Sequence, residues 1–236
     1  MVGVVIAVKS ERIEQRIEIP LSLINVKNIG DFNMVRLSKE PVADRFLRDV
    51  AEHEMEVKHD DGMYRHVVFK KPDTSCYFFS LTTTPGRLIY AGDMGCFVFE
   101  RVQDMFSFFR AGSEREPNFG YWHEKMVACD RQGSEEHNVA EFRANLERYI
   151  DSDELSEEHL SGVKEFIEEA VSEFEDAGPD AAYRLVMDFG LEPERGERKR
   201  QFFQDFWETT DKVYSFRYVW ACYAIQWGIK QYDAAK

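Results

Sequence analysis

The sequence of 236 residues contains only four cysteines, and they lie far apart: Cys76, Cys96, Cys129 and Cys222. None of them forms the C-x-x-C pair that zinc ribbons use, and a disulfide scaffold is not expected in a chain this long. The spacing therefore argues against a structural zinc site. It favours reduced thiols, most of them buried.

Long apolar runs are also lacking. The longest nearly apolar stretch, 218–228, is too short to span a bilayer and is interrupted by Gln226. The N-terminal apolar run covers only residues 4–8, without a basic stretch before it or a cleavage site of small residues after it. We therefore expect no membrane segment and no secretory signal, and we expect a cytoplasmic location.

The short motifs of common catalytic sites are missing too. The sequence has no G-x-S-x-G, no Walker loop, no G-x-G-x-x-G and no H-E-x-x-H. His53, His59 and His66 alternate with acids but lack the spacing of a metal site, so we predict no metal and interpret the acidic stretch around them as a solvated loop. We expect no cofactor, and we favour binding over catalysis.

Positive charge is scarce. Against 44 acids stand 30 lysines and arginines, which leaves a net charge of −14 and disfavours direct binding to nucleic acid. Most of the excess lies in residues 134–176, where fifteen acids accompany three bases. One explanation is a solvated surface that keeps the protein soluble. The other is a carboxylate array that imitates a nucleic-acid backbone for a basic partner.

The acidic segment contains a predicted amphipathic helix that Ser156 can cap. One stripe of this helix is apolar, and the acids lie towards its flanks and outer face. The candidate partner-binding surface is formed by Glu157, Glu158, Glu165, Glu168, Glu169 and Glu173.

The pattern of apolar residues predicts an α+β fold, in which an N-terminal antiparallel β-meander is packed by a C-terminal set of helices. Residues 1–131 form the β-rich region with short helices. Residues 132–236 form the acidic helical region packed on the sheet, either as a separate region or in one continuous domain. Strands are predicted at 2–8, 12–19, 21–26, 34–37, 64–70, 76–83, 87–91 and 96–101.

Helices are predicted from the 3.6-residue period and its flanking caps. Glycine followed by proline at 178–179 should end one helix and start the next, and 191–196 is the best linker. The last helix, apolar on almost every side, should be the centre of the helical layer. The helices are expected at 41–53, 103–110, 121–131, 138–150, 156–177, 180–189, 198–209 and 213–232.

Charged residues beside aromatic strands give the candidate ligand site. We place a polar pocket between the meander and the helix that begins at Tyr121, because polar groups among apolar strands need partners. The alternative is structural: Arg65 pairs with Asp93 or Glu100 at the sheet edge, and Asp93 belongs to a tight turn. The candidate residues are Arg65, His66, Asp93, Arg101, Glu124 and Lys125.

Three motifs in order, DGMYRHVVF, CYFFSLTTTPGRLIYAGDMGCFVFERVQDMFSFFR and YWHEKM, resemble an uncharacterised family of proteins encoded by tailed phages and prophages. The resemblance covers about residues 60–130. It implies a non-structural accessory protein that acts in the host bacterial cytoplasm, for example against host defence. No catalytic residues carry over from it.

Two functions of different classes remain open. The first is a non-enzymatic phage protein that binds and inhibits or redirects a host factor through its acidic surface. The second is a small-ligand or nucleotide binding protein, or an enzyme, that uses the polar pocket. A host protein is the expected partner, nucleic acid and membrane are not, and the oligomeric state is left open.

Overall fold

The chain divides into two compact units, Met1–Lys39 and Glu40–Lys236. A computed structural model describes residues 4–10, 13–19, 41–110, 116–150, 155–191 and 200–236. In the first unit, β1 (Val4–Ser10) and β2 (Ile13–Ile19) form an antiparallel hairpin, which confirms the two strands predicted there. The strands predicted at 21–26 and 34–37 lie outside the described residues.

The second unit contains a six-stranded antiparallel sheet in which each strand pairs with the next along the chain. This meander, together with the helices that follow it, confirms the predicted α+β class. The predicted division after residue 131 falls within this unit. The strands are β3 (Glu54–Asp61), β4 (Tyr64–Lys70), β5 (Phe79–Thr84), β6 (Arg87–Gly92), β7 (Gly95–Glu100) and β8 (Met126–Cys129).

Both edges of the sheet differ from the sequence prediction. β3 lies in the stretch that we interpreted as a solvated acidic loop, and β8 lies where we predicted a helix. β3 is almost fully exposed and is held by backbone pairing with β4. Charged side chains protect such an edge from further pairing. An edge strand of this kind therefore lacks the apolar alternation by which strands are recognised.

Seven helices are present in the described parts of the chain, and none of them has the length and apolarity needed to cross a bilayer. The predicted capping by Ser156 is confirmed by a hydrogen bond from the backbone N–H of His159, and Gly178 separates two helices as predicted. The helices are α1 (Val42–Asp49), α2 (Met105–Arg110), α3 (Phe119–His123), α4 (Val139–Glu147), α5 (Glu157–Ala177), α6 (Pro179–Asp188) and α7 (Phe216–Ala234).

One face of the sheet is buried and largely aromatic. Strands β4 to β7 place alternate side chains on it, as the two-residue period of a strand requires. Helices α1, α2 and α7 contribute to the same core. The buried sheet residues are Arg65, Val67, Phe69, Phe79, Leu81, Thr83, Leu88, Tyr90, Phe97 and Phe99.

Helix α7 lies directly against the aromatic face. The Trp220 ring packs nearly perpendicular to the rings of Phe46 and Phe79, at centroid distances of 5.0 and 5.8 Å. Gly228 allows close approach, since an added Cβ would lie 3.0 Å from side-chain atoms of both Leu81 and Phe69. The predicted apolar helix is thus buried, and its core is shared with the sheet.

Helices α4, α5 and α6 form a second hydrophobic core. The stripe predicted along α5 is buried, including Val163, Ile167 and Ala170. Phe203 and Phe206 complete this core from a later segment. The acidic helices therefore pack mainly on one another.

The prediction of a helix at 198–209 is wrong. This segment contains a strand, β11 (Arg200–Gln201), paired with β10 (Gly190–Leu191), and a short 3-10 helix, Phe206–Glu208. Asp205 has a left-handed backbone with φ 55°, which an α-helix cannot accommodate. Nearby, β9 (Glu135–His137) pairs with β12 (Lys212–Tyr214), another ribbon that we did not predict.

All four cysteines are free, as expected, but the prediction that most are buried is wrong. Cys222, inside α7, is buried, and Cys96 is half-buried. Cys76 and Cys129 are exposed, because one lies in a loop and the other on the edge strand β8.

The turn between β6 and β7, sequence GDMG, requires both of its glycines. Gly92 and Gly95 face each other in the hairpin. A Cβ on Gly92 would overlap the carbonyl oxygen of Phe78. A Cβ on Gly95, where φ is +104°, would overlap the Asp130 carboxylate and the Arg217 guanidinium.

We therefore expect Gly95→Ala to lower the free energy of unfolding by about 2 kcal/mol, because the added Cβ displaces the Asp130 and Arg217 side chains and the backbone is strained. Gly86→Ala is the matched control, because Gly86 has φ +84° with nothing within 4 Å of an added Cβ. Urea unfolding of both variants measures the difference. Equal losses for the two would contradict the packing explanation.

Candidate functional site

Arg65 and His66 point to opposite faces of the sheet, as neighbours on a strand must. Arg65 is 9% exposed, and its guanidinium donates to the Asp104 carboxylate over 2.8 Å. It also lies over the Phe106 ring, 4.8 Å from its centre. His66 Nδ1 instead hydrogen-bonds the Thr82 hydroxyl at 2.8 Å. These two candidates therefore cannot contribute to one pocket.

The prediction that Arg65 forms an ion pair with Asp93 or Glu100 is wrong. Glu100 is paired with Arg87 on the neighbouring strand. The true partner, Asp104, lies just before α2 and also accepts from the backbone N–H of Phe106. Burial raises the pKa of Asp104, but the hydrogen bond and the charge of Arg65, with the hydrogen bond from the Phe106 N–H, together outweigh burial, so the pKa lies below its ordinary value.

Asp93 has a structural role in the turn. Its carboxylate accepts the backbone N–H of Tyr77 at 2.5 Å, and its own N–H donates to the Phe78 carbonyl. Tyr77 has a left-handed backbone with φ 57°. Asp93 thus fixes the loop before β5 to the β6–β7 hairpin, where we expected it to bond its own turn.

The other three candidates lie at or near the surface. Arg101 and Glu124 are exposed. Lys125 lies 3.2 Å from the Glu124 carboxylate and 4.8 Å from the centre of the Tyr121 ring. Among the six predicted ligand residues, this is the one pair that the described contacts bring together. The convergence of three side chains that the pocket required is not observed.

The predicted acidic surface lies on α5 as expected. Five of its six glutamates are exposed, and Glu173 is half-buried. Glu168 is neutralised by Arg143 of α4, whose Nη2 donates to Oε2 over 2.7 Å. This hydrogen bond lowers the pKa of Glu168. The remaining carboxylates of the surface make no ion pair with other described residues.

A groove of about 430 Å³ runs between α4 and α5. Ile150 and Ile167 line it together with Arg143, Lys164 and Glu165. Glu147 and Glu168 also contribute. Sequence reasoning found the acids but missed the groove, because it depends on how the two helices pack.

A buried carboxylate that we did not predict lies at Asp211, which is 2% exposed. His137 Nδ1 donates to it at 2.9 Å, and the Tyr183 hydroxyl donates at 3.1 Å. Burial, with the charge of Asp211, raises the pKa of Tyr183 to about 12. The three groups join β9, α6 and the start of β12. No local pattern predicts contacts across such sequence separations.

A second unpredicted ion pair supports the GDMG hairpin. Arg217 Nη2 donates to Asp130 over 2.6 Å, and the backbone N–H of Cys96 donates to the same oxygen at 2.9 Å. The hydrogen bond from Arg217 lowers the pKa of Asp130. The pair connects the first turn of α7 to the sheet at Gly95.

In the described ranges, no group of three or more histidines, cysteines or acids is arranged to hold a metal ion. The chain as a whole matches no protein-family model, no curated protein and no solved structure. The resemblance to a phage family therefore stays a prediction.

Asp211→Ala should lower the free energy of unfolding by about 1–3 kcal/mol, because His137 and the half-buried Tyr183 hydroxyl lose a charged acceptor. Asp188→Ala is the control, since this exposed carboxylate on α6 makes no hydrogen bond to other described residues. We expect its effect to stay within about 0.5 kcal/mol. Thermal unfolding of both proteins measures the effect. A loss for Asp211→Ala no larger than the control would show that the cluster does not stabilise the fold.

Asp130→Asn should destabilise the protein at neutral pH by about 1–3 kcal/mol. The folded-state pKa of Asp130 is lowered, so its contribution is present above the ordinary carboxyl pKa near 3.8 and is lost as the pH falls through the folded value. The difference from wild type should therefore shrink below pH about 4. Urea unfolding between pH 2.5 and 7 measures it, and a difference that stays constant would contradict the ion-pair explanation.

Proposed function

We propose that this protein is a non-enzymatic binding protein whose acidic α5 face engages a basic site on a host protein. The observation that carries the proposal is the display of carboxylates along one rigid helix. Two cores hold the fold, and the acids of α5 contribute to neither of them.

The charge density of α5 is close to that of a nucleic-acid strand. The helix has 21 residues and is therefore about 32 Å long at 1.5 Å per residue. It contains eight acids and one lysine, and Arg143 neutralises one of the acids, so it carries roughly one net negative charge per 5 Å. One strand of DNA carries one per 3.4 Å. A basic site built for a phosphate backbone would therefore meet a comparable field.

The acids are held on a preorganised surface. Ser156 caps α5, Glu157 and Glu158 lie at its positive end, and its apolar stripe is buried against α4 and α6. A partner that binds this face does not have to order it, so little of the binding free energy is lost to ordering. A random acidic tail would lack this advantage.

The family resemblance supports a biological setting for the proposal. A phage or prophage accessory protein in the bacterial cytoplasm would meet host nucleases, repair proteins and defence factors, all of which present basic sites to nucleic acid. We propose that the protein inhibits or redirects one of these. A ligand pocket beside Tyr121 gains no support, because its predicted residues point to separate places.

The test is capture of host proteins on the immobilised chain, followed by elution with rising salt or with single-stranded DNA. We expect a partner that both salt and DNA displace. The double variant Glu158→Gln with Glu169→Gln should weaken its affinity roughly tenfold, about 0.7 kcal/mol per charge.

The matched control is Glu54→Gln with Asp61→Asn, which removes the same charge from exposed positions of β3. It should leave the affinity within about twofold, because the charge lies off the binding face. Equal loss in the two double variants would mean that total charge alone causes binding. Absence of any partner at low salt would refute the proposal.

A further inference from the structure

The groove between α4 and α5 has two chemically different parts. Its apolar part is formed by Ile150, half-buried just beyond the end of α4, and Ile167, which is 2% exposed. Charged side chains of both helices surround this part. Its volume of about 430 Å³ falls in the range of sites that take small ligands or single anchoring side chains.

The charges around the groove are unequally satisfied. Arg143 is engaged by Glu168 over 2.7 Å and lies 3.9 Å from Glu147. Lys164 and Glu165, by contrast, have no hydrogen bond or ion pair with the described residues. One carboxylate beside an apolar wall is therefore available to a ligand.

We propose that this groove receives an arginine side chain of the basic partner. The inference rests on the proposed function and identifies the place where the binding energy is concentrated. The aliphatic stem of the arginine lies along Ile150 and Ile167, and its guanidinium pairs with Glu165. The acidic face of α5 attracts the partner, and the groove anchors it.

Arginine fits this groove better than lysine for two reasons. The planar guanidinium offers several donors to a carboxylate and is weakly hydrated, so it loses less on leaving water than an ammonium group. Its stem can cover apolar surface while the charged end stays in contact with polar groups. Partly desolvated arginine anchors in pockets often dominate interfaces, whereas exposed charges contribute little.

Lys164 provides a further test of the inference, because its positive charge repels a second cation at the groove. Its replacement by glutamate should raise the affinity for an arginine ligand. A larger gain for an arginine ligand than for a lysine ligand is not expected from misfolding or from added charge alone, so this comparison tests the proposal even if another groove variant proves unstable.

The experiment uses the full chain and two peptides of equal charge, nona-arginine and nona-lysine, in isothermal titration at moderate salt. Wild type should bind nona-arginine at least about fivefold more tightly than nona-lysine. Lys164→Glu should increase the affinity for nona-arginine about threefold to tenfold, and the affinity for nona-lysine by less. Ile150→Ser leaves every charge in place, yet it should reduce the preference for arginine to within about twofold.

A control outside the groove separates anchoring from general attraction. Glu165→Gln and Glu158→Gln remove the same charge from α5. Glu165→Gln should weaken the binding of nona-arginine about fivefold to tenfold and the binding of nona-lysine much less. Glu158→Gln should weaken the binding of both peptides slightly and to the same extent.

Two results would overturn the inference in different ways. If both peptides bind and neither Ile150→Ser nor Lys164→Glu changes the preference for arginine, the acidic face binds cations without an anchor, and the proposed function stands alone. If neither peptide binds wild type at low salt, the acidic face does not engage basic ligands. Both the proposed function and the arginine site in the groove are then refuted.

Discussion

The sheet of the second unit depends on the burial of its aromatic face under α7. Phe69, Phe79 and Tyr90 form one stacked row across three strands, and Trp220 lies against it. Side chains of this size contribute most to core stability. Gly228 lets the helix approach closely, so the fit depends on a residue without a side chain. The ion pair of Arg217 with Asp130 then fixes the first turn of α7 to the sheet.

The acidic helices are stabilised by a separate hydrophobic core. Their core is formed by their own apolar stripes and by Phe203 and Phe206. Because this core does not require α5 to bury its outer side, the carboxylates of α5 face water at almost no packing cost. The buried Asp211 cluster connects α6 to the β9–β12 ribbon and so limits how these helices can shift. One face of α5 thus stabilises the fold, and another face of the same helix displays the charge.

Sequence patterns predicted the features that depend on local periodicity. The strands β4 to β7 and the capped acidic helix have a clear period of 2 or 3.6 residues, and the last helix is recognised by its nearly continuous apolar sequence. The patterns failed where stability comes from elsewhere: β3 and β8 are edge strands with little apolar alternation, and the turn at Asp205 interrupts a helical pattern. The partners of Arg65, Asp93 and Asp211 could not be predicted, because each contact joins distant parts of the chain.

The position of α7 also limits when folding can be completed. Strands β4 to β7 are synthesised more than a hundred residues before α7, so their aromatic face has only α1 and α2 to cover it until residues 216–234 have left the ribosome. Contacts across such separations slow folding, and exposed apolar strands associate readily during the delay. Nascent chains of this protein should therefore depend on chaperones, and premature termination before α7 should yield insoluble products instead of a smaller folded domain.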